Sequence, residues 1–396
     1  MLDKILTLTF TLLLLLTPAQ AAAPDMLYVS SYSGKITTLV PGVLEKGVGL
    51  SKVSSTDECG ASPSWLTLNR ANSTLFCINE DLASGKGSIS SFKTSAKGSL
   101  TSLGKTDTTG SPVSGVLYGP GKSGLAVAHY GGDFTTWDLS SSGKLALVLN
   151  ETYHMDKPGP NADRQKGPHP HQASLDPTGK FILVPDLGAD KIHVYAVASD
   201  SLKVKCLPSL AVKAGSGPRH VAFAVRDGKT FMYLVTELSS SIIGYEVAYP
   251  SGSIGFKELF NIGAHGADKP VSKTAYASEV VVSPDAKFLL VSSRGDNSLT
   301  IPNFDPNNST SITSDPIINF SIDGKTGKLS VIQETASGGR FPRHFSVNKA
   351  GTLVAVGLQK DSRVVLIKRD PESGKLGEFA GHANVAGEIS SVIFDE

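Results

Sequence analysis

Between Gly167 and Val197 the chain reads GPHPHQASLDPTGKFILVPDLGADKIHVYAV. A short alternation, Ala173 to Leu175, ends at Asp176-Pro177-Thr178-Gly179-Lys180. The apolar run Phe181 to Val184 then leads to Asp186, and Gly188 to Lys191 opens a third run, Ile192 to Val197. Alternation of this kind, bounded by Gly, Pro and Asp, predicts strands joined by tight turns. The pattern returns at Gly217 (GPRHVAFAVRDGKTFMYLVTELSSSIIGYEV), at Ala277 (ASEVVVSPDAKFLLVSSRGDNSLTI) and at Phe341 (FPRHFSVNKAGTLVAVGLQKDSRVVLIKR). Each copy has a polar entry, a short strand, a turn, a longer apolar strand, a polar exit and a third strand. A unit of roughly 50 residues repeating in this way predicts an all-β chain folded as a β-propeller.

Two further openings, Ser62-Pro63-Ser64-Trp65 and Ser111-Pro112-Val113-Ser114, precede those at His169, Pro218, Ser278 and Pro342. Met26 to Val40 holds two strands, LYVSSY and KITTLV, with none before them, and Ser390 to Phe394 is a lone strand at the far end. Pairing the two ends in one blade closes the ring and removes an exposed sheet edge. The expected count is therefore seven blades, with six or eight as alternatives. Glu151 to Lys166 and Phe304 to Asn319 read as loop inserts.

Of 396 residues, 40 are Gly and only 18% are charged, which suits one array of turns and strands better than two separate cores. The net charge of +1 implies neither a nucleic-acid partner nor a membrane surface. Met1 to Ala21 reads as a secretory signal: Lys4, an apolar core from Ile5 to Leu16, and Ala19-Gln20-Ala21 as the cleavage site. Its apolar core is short for a membrane span, and an uncleaved anchor is the alternative. The mature protein is expected to be one secreted domain over residues 22–396, and the monomer is the default state. Asn72, Asn150, Asn307, Asn308 and Asn319 begin Asn-x-Ser/Thr triplets, so a glycoprotein is expected. Cys59 and Cys77 could pair across a hairpin in an oxidising compartment, or all three cysteines could be thiols; Cys206 reads as core or free. No phosphate loop, CxxC pair, HExxH or Ca²⁺-ligand spacing occurs, so no cofactor and no metal are expected.

The first two strands of a unit are antiparallel, so the residue before the first and the residue after the second share one end of the blade. Those positions supply Ser64, Ser114, His169, His171, Arg219, His220, Glu279, Arg343 and His344, and then Glu80, His129, Tyr130, Asp186, Glu237, Arg294 and Gln359. The opposite ends carry ordinary turn formers such as Asp176-Pro177 and Arg226-Asp227-Gly228. One face of the ring thus gathers His, Arg and carboxylates, the default place for a site. Each has a plainer reading. His220 and His344 recur at one repeat position and could lock neighbouring blades. Asp186 could order its own turn, and Glu237 could do the same. Arg219 and Arg294 suit recognition of polar oxygens, and His171 suits proton transfer near neutral pH.

In combination, GPHPHQASLDPTGKFILVPDLGADKI, GSGPRHVAF…TELSSS, SEVVVSPDAKFLLVSSRGDNS and FPRHFSV…GLQKDS resemble the lactonase seven-bladed propeller family. That family includes propeller-type 6-phosphogluconolactonase and fungal carboxy-cis,cis-muconate cyclase. The resemblance runs from about Leu27 to about Lys368. It implies lactone-ring chemistry without a required metal, on a catalytic set mapping to His171 (HPH), Arg219 (GPRH), Glu237 (TELS) and Arg294 (SSRG). His169, His220, Asp186, His129, Tyr130, Glu80, Arg343 and His344 would contact substrate. The exit Gly357-Leu358-Gln359 departs from the family's Asn-Gln, and His129-Tyr130-Gly131-Gly132-Asp133 is close to its Tyr-Gly-Gly entry but not diagnostic of it.

A secreted member would meet sugar lactones formed outside the cell, such as glucono- or cellobiono-lactone, and hydrolyse them to aldonic acids in carbohydrate metabolism. A lactonising cyclase or isomerase acting on an unsaturated polycarboxylate is the first alternative. A non-enzymatic propeller that binds glycan or protein is the second.

Overall fold

The computed structural model describes residues 26–44, 47–140 and 144–396. The stretch read as a secretory signal, Met1 to Ala21, lies outside the described residues. Seven four-stranded antiparallel sheets form a ring. Blade 1 carries Leu27–Ser31, Lys35–Leu44 and Gly47–Thr56, and its innermost strand is the C-terminal Ile389–Phe394. The ring therefore closes through both ends of the chain, as expected. Blades 2 to 7 open at Pro63, Pro112, Ser174, Pro218, Tyr276 and Pro342.

Apolar residues on the pleated faces pack blade against blade. Between blades 5 and 6, for example, Phe231, Tyr233, Val235, Leu289, Val291, Ile318 and Phe320 form one buried cluster. Each such side chain contributes about 1.5–3 kcal/mol of burial free energy. Polar side chains near the strand entries tie each blade to the next. Ser64 Oγ donates to Pro112 O (2.8 Å), Ser278 Oγ to Arg343 O (2.8 Å) and Ser390 Oγ to Pro63 O (2.5 Å). Gln172 Oε1 accepts from Val221 N at 2.7 Å.

Blade 6 departs from the sequence reading. The run Leu299–Pro302 is not its third strand; it pairs with Ser311–Ser314 in a separate ribbon. The third strand is Pro316–Ile322, a more apolar run that lies within and just beyond the expected loop insert. Asp315 fixes the junction, accepting from the amides of Gly295, Asn297 and Phe341 at 2.9, 2.6 and 2.7 Å. Asn319 is consequently a buried strand residue whose side chain donates to Gly374 O, so it offers no surface for a glycan. Asn72, Asn150, Asn307 and Asn308 are exposed. Cys59 and Cys77 form a disulfide, and Cys206 is an exposed free thiol.

Candidate active site

Strand register brings entries and exits together as the repeat requires: Pro63 faces Asn79, Pro112 faces His129, Pro218 faces Thr236 and Pro342 faces Leu358. In each of these blades the next pairing skips one residue, so Ser64, Val113, Arg219 and Arg343 are bulged out of the ladder. A bulge breaks the alternation of side chains between faces. This is why consecutive residues, Arg219-His220 and Arg343-His344, can both serve the axis.

Two buried carboxylates organise the centre. Glu237 accepts Arg219 Nε at 3.0 Å and Arg294 Nη2 at 2.8 Å on Oε2, and Arg164 Nη2 at 2.6 Å on Oε1. Burial alone would raise its pKa, but the Arg294, Arg219 and Arg164 guanidinia hold it well below the usual carboxylate range. Burial, with Arg294 beside it, lowers Arg219 to about 9, still a cation at neutral pH. Glu279 instead meets imidazoles: His220 Nδ1 at 2.9 Å and, more loosely, His344 Nε2 at 3.6 Å. Burial opposes ionisation here too, yet His220 and His344 bring it down to about 2.

The tautomers follow from this chain. A carboxylate only accepts, so His220 carries its proton on Nδ1 and accepts on Nε2. His171 Nδ1–H then donates to His220 Nε2 at 3.2 Å. That leaves the lone pair of His171 on Nε2, which has no hydrogen-bonding partner among the described residues. Burial, then the positive charges of Arg219, Arg343 and Arg294 and the cost of a second proton beside His220, lower His171 well below its ordinary value. Burial likewise lowers His220 to about 4. Both are neutral at pH 7. The contacts Arg294–Glu237–Arg219–His220–His171 run side chain to side chain, so all four expected catalytic residues meet in one cluster. The carboxylate linked to His171 is Glu279, however; Glu237 anchors guanidinia.

Other expected residues divide. His169 stacks on Tyr130 with centroids 4.3 Å apart and bonds its carbonyl. Glu80 accepts from Tyr32 Oη at 2.8 Å, and Arg343 lies over the Tyr32 ring. His344 Nδ1 accepts from Val392 N, which makes it a lock onto the closing strand. Two positions are committed elsewhere. Asp186 is fully buried and accepts from the amides of His169, Gly188 and Ala189 and from His193, so it orders its own turn. His129 is buried within blade 3, bonded to Thr135 Oγ1 at 2.8 Å and facing Thr109. Neither presents a free polar atom to a ligand.

Sequence reasoning passed over Arg164, which lies in an insert outside the repeat, and Trp65, whose ring meets His220 and His344 edge-on. Ser64, Trp65, Val113, His171, Arg219, His220, Arg343, His344 and Ser390 line a cavity of about 10 Å³, room for about one water. A roomier cavity of about 570 Å³ lies between the outer strands of blades 5 and 6, around Phe260, His265, Leu329 and Glu334. It shares no residue with the axial cluster. Among the described residues, no group of three or more His, Cys, Asp or Glu is disposed to hold a metal ion.

Residues 26–394 match the family described as "Lactonase, 7-bladed beta-propeller". A probable 6-phosphogluconolactonase of Arthroderma benhamiae is 29% identical over 356 residues, covering 89% of this chain and 84% of its own. The 6-phosphogluconolactonase of Bacillus subtilis is 26% identical, covering 80% and 82%. Among solved structures, a periplasmic gluconolactonase of Pseudomonas aeruginosa superposes with a TM-score of 0.77 at 25% identity, covering 93% of this chain and 98% of its own.

Proposed function

The chain belongs to the seven-bladed β-propeller lactonase family, and on that premise we propose that it hydrolyses a sugar lactone to the aldonic acid. The observation that carries this reading is a pairing of unmet groups: His171 Nε2 holds a free lone pair, and Arg294 Nε is buried without a partner. A buried, unpaired donor calls for a missing acceptor, and a lactone oxygen supplies one. Water placed at His171 gives its proton to Nε2 as its oxygen bonds to the lactone carbonyl carbon. Arg294 and Arg219 stabilise the oxyanion that forms. When the carbonyl carbon–ring oxygen bond breaks, the same proton passes to the ring oxygen, leaving an alcohol and a carboxylic acid. The His220–Glu279 pair fixes the His171 tautomer and spreads the positive charge of its protonated form.

The preferred substrates are glucono- and cellobiono-lactones formed outside the cell. An apolar leader, the Cys59–Cys77 disulfide and exposed Asn-x-Ser/Thr sites support a non-cytosolic, glycosylated protein. The concentration of guanidinia at Arg164, Arg219, Arg294 and Arg343 favours, as a second reading, a cyclase that clamps carboxylates. Rates on gluconolactone, cellobionolactone and carboxymuconate separate the two. His171→Ala and Arg294→Ala should each lower kcat on glucono-δ-lactone about 100-fold or more, measured above spontaneous opening. Unchanged rates in both variants would remove the assignment.

A further inference from the structure

We propose that Arg164 is a substrate-binding residue of the axial site: its guanidinium covers Glu237 in the free protein and transfers to oxygens of the lactone when one binds. The proposal rests on the lactone-hydrolase reading. Nothing in the strand repeat places a functional group in this insert.

Arg164 stands on a braced platform. The amide of Gly159 donates to Gln165 O at 2.9 Å, and the amides of Arg164 and Gln165 donate to Asn161 O at 3.2 and 2.8 Å. Asn161 Oδ1 also accepts from Arg164 N (3.2 Å), and Gln165 Oε1 from Asn161 N (3.1 Å). The Gln165 side chain is fully buried and rivets this turn to its surroundings, donating to Leu187 O at 2.9 Å and to Asp190 Oδ2 at 2.8 Å. Asp190 in turn accepts from Gly215 N and Gly217 N, the segment leading into Pro218 and Arg219. The insert backbone is therefore fixed to the same turns that carry the catalytic cluster. The freedom lies in the long Arg164 side chain.

That side chain differs from the other two guanidinia on Glu237. Arg219 and Arg294 are buried and share Oε2, while the Arg164 side chain is 38% exposed and takes Oε1 from the solvent side, with Tyr130 Oη at 3.3 Å. The Arg164 side chain reaches solvent, so it can trade one acceptor for another without being desolvated anew. Two permanently buried cations already compensate Glu237, so releasing Arg164 leaves no unpaired carboxylate. The cavity beside His171 holds about one water, so a lactone ring must lodge nearer the mouth. Arg164 Nη2 lies 3.3 Å from Tyr130 Oη, and the Tyr130 ring meets His171 edge-on with centroids 5.8 Å apart; the planar guanidinium fork suits the carbonyl and hydroxyl oxygens of such a ring.

Steady-state kinetics of Arg164→Ala and Arg164→Lys on glucono-δ-lactone, with gluconate as competing product, test the proposal. Losing one charge-assisted contact to substrate should raise KM about 10- to 100-fold in the alanine variant, with kcat within about 3-fold of wild type. Lysine should fall between them, and the thermal midpoint should hold. Were the alanine variant not to fold, Arg164→Gln carries the same KM expectation. An active wild type with unchanged KM in the variant, or with kcat falling at constant KM, overturns the role of Arg164 alone. A wild type inactive on every lactone overturns the hydrolase reading, and this proposal with it.

Discussion

Glu237 and Glu279 are both buried near the axis of the ring, and their surroundings differ in kind. Glu237 is met by three guanidinia, which stay charged across the physiological range, so it is a permanent anion in a permanent cationic frame. Glu279 is met by imidazoles that burial keeps neutral, so it faces groups that can gain or lose a proton. One region holds fixed charge; the other can move it. The proposed hydrolysis uses both, an oxyanion frame that does not titrate and a base that does. The two regions meet where Arg219 Nη1 lies 3.4 Å from His220 Nε2.

The sharpest way to break the contrast is to remove the fixed charge. Glu237→Gln keeps shape but leaves Arg219 and Arg294 buried without a counterion. Breaking a buried ion network from one side costs about 3–5 kcal/mol. The variant should lose that much in urea unfolding and show no lactone hydrolysis above the spontaneous rate. A stable, active variant would mean that Glu237 does not hold the arginines in place.

The contrast also marks where sequence reasoning stops. The repeat located the blades, the ring closure and the shared end of the strands, because turn chemistry and alternation depend on local residues. It also collected His171, Arg219, Glu237 and Arg294. It could not tell committed side chains from free ones. Asp186 and Glu237 both stand at strand exits, yet Asp186, whose counterpart by register is Thr236, folds back on its own turn, while Glu237, one position further on, reaches across blades. Bulges let two neighbours face the axis together, and a bulge leaves little trace in the pattern. Arg164 was missed because it belongs to no repeat. In blade 6, Leu299–Pro302 stands where the repeat calls for a third strand, but the more apolar Pro316–Ile322 takes that place in the packing between blades.

The titrating region should respond to Glu279→Gln more in rate than in stability. The amide weakens the hold on the His220 tautomer, and through it on His171, so kcat should fall about 10²- to 10⁴-fold. The pH dependence sharpens the point. Burial depresses both His171 and His220, so the neutral base persists below the usual 6.5. In the wild type, kcat/KM should stay level from neutral pH down to about pH 5, and fall as His220 protonates near about 4. For stability the sign is the same. The folded state binds fewer protons than the unfolded one between about 4 and 6.5, so the His220 contribution is complete above 6.5 and lost as pH falls towards 4. Glu279, depressed to about 2, adds a further loss in stronger acid. A rate falling already at 6.5 would mean that the base is an ordinary exposed histidine.

The smallest effect expected tests whether the two imidazoles on Glu279 are equivalent. His220 bonds the carboxylate at 2.9 Å and faces His171; His344 lies 3.6 Å away and accepts the amide of Val392 in the strand that closes the ring. Trp65 meets both rings edge-on, so shape alone does not separate them. Their hydrogen bonds do: one looks towards the proposed base, the other towards a backbone that has no proton to exchange. His344→Gln should therefore cost about 1–2 kcal/mol in urea unfolding, the worth of one buried hydrogen bond. Its kcat should stay within about 5-fold of wild type, below the range of a lost proton-transfer group. If kcat falls instead as far as in Glu279→Gln, with stability unchanged, His344 shares the relay, and the division between a locking imidazole and a proton-carrying one fails.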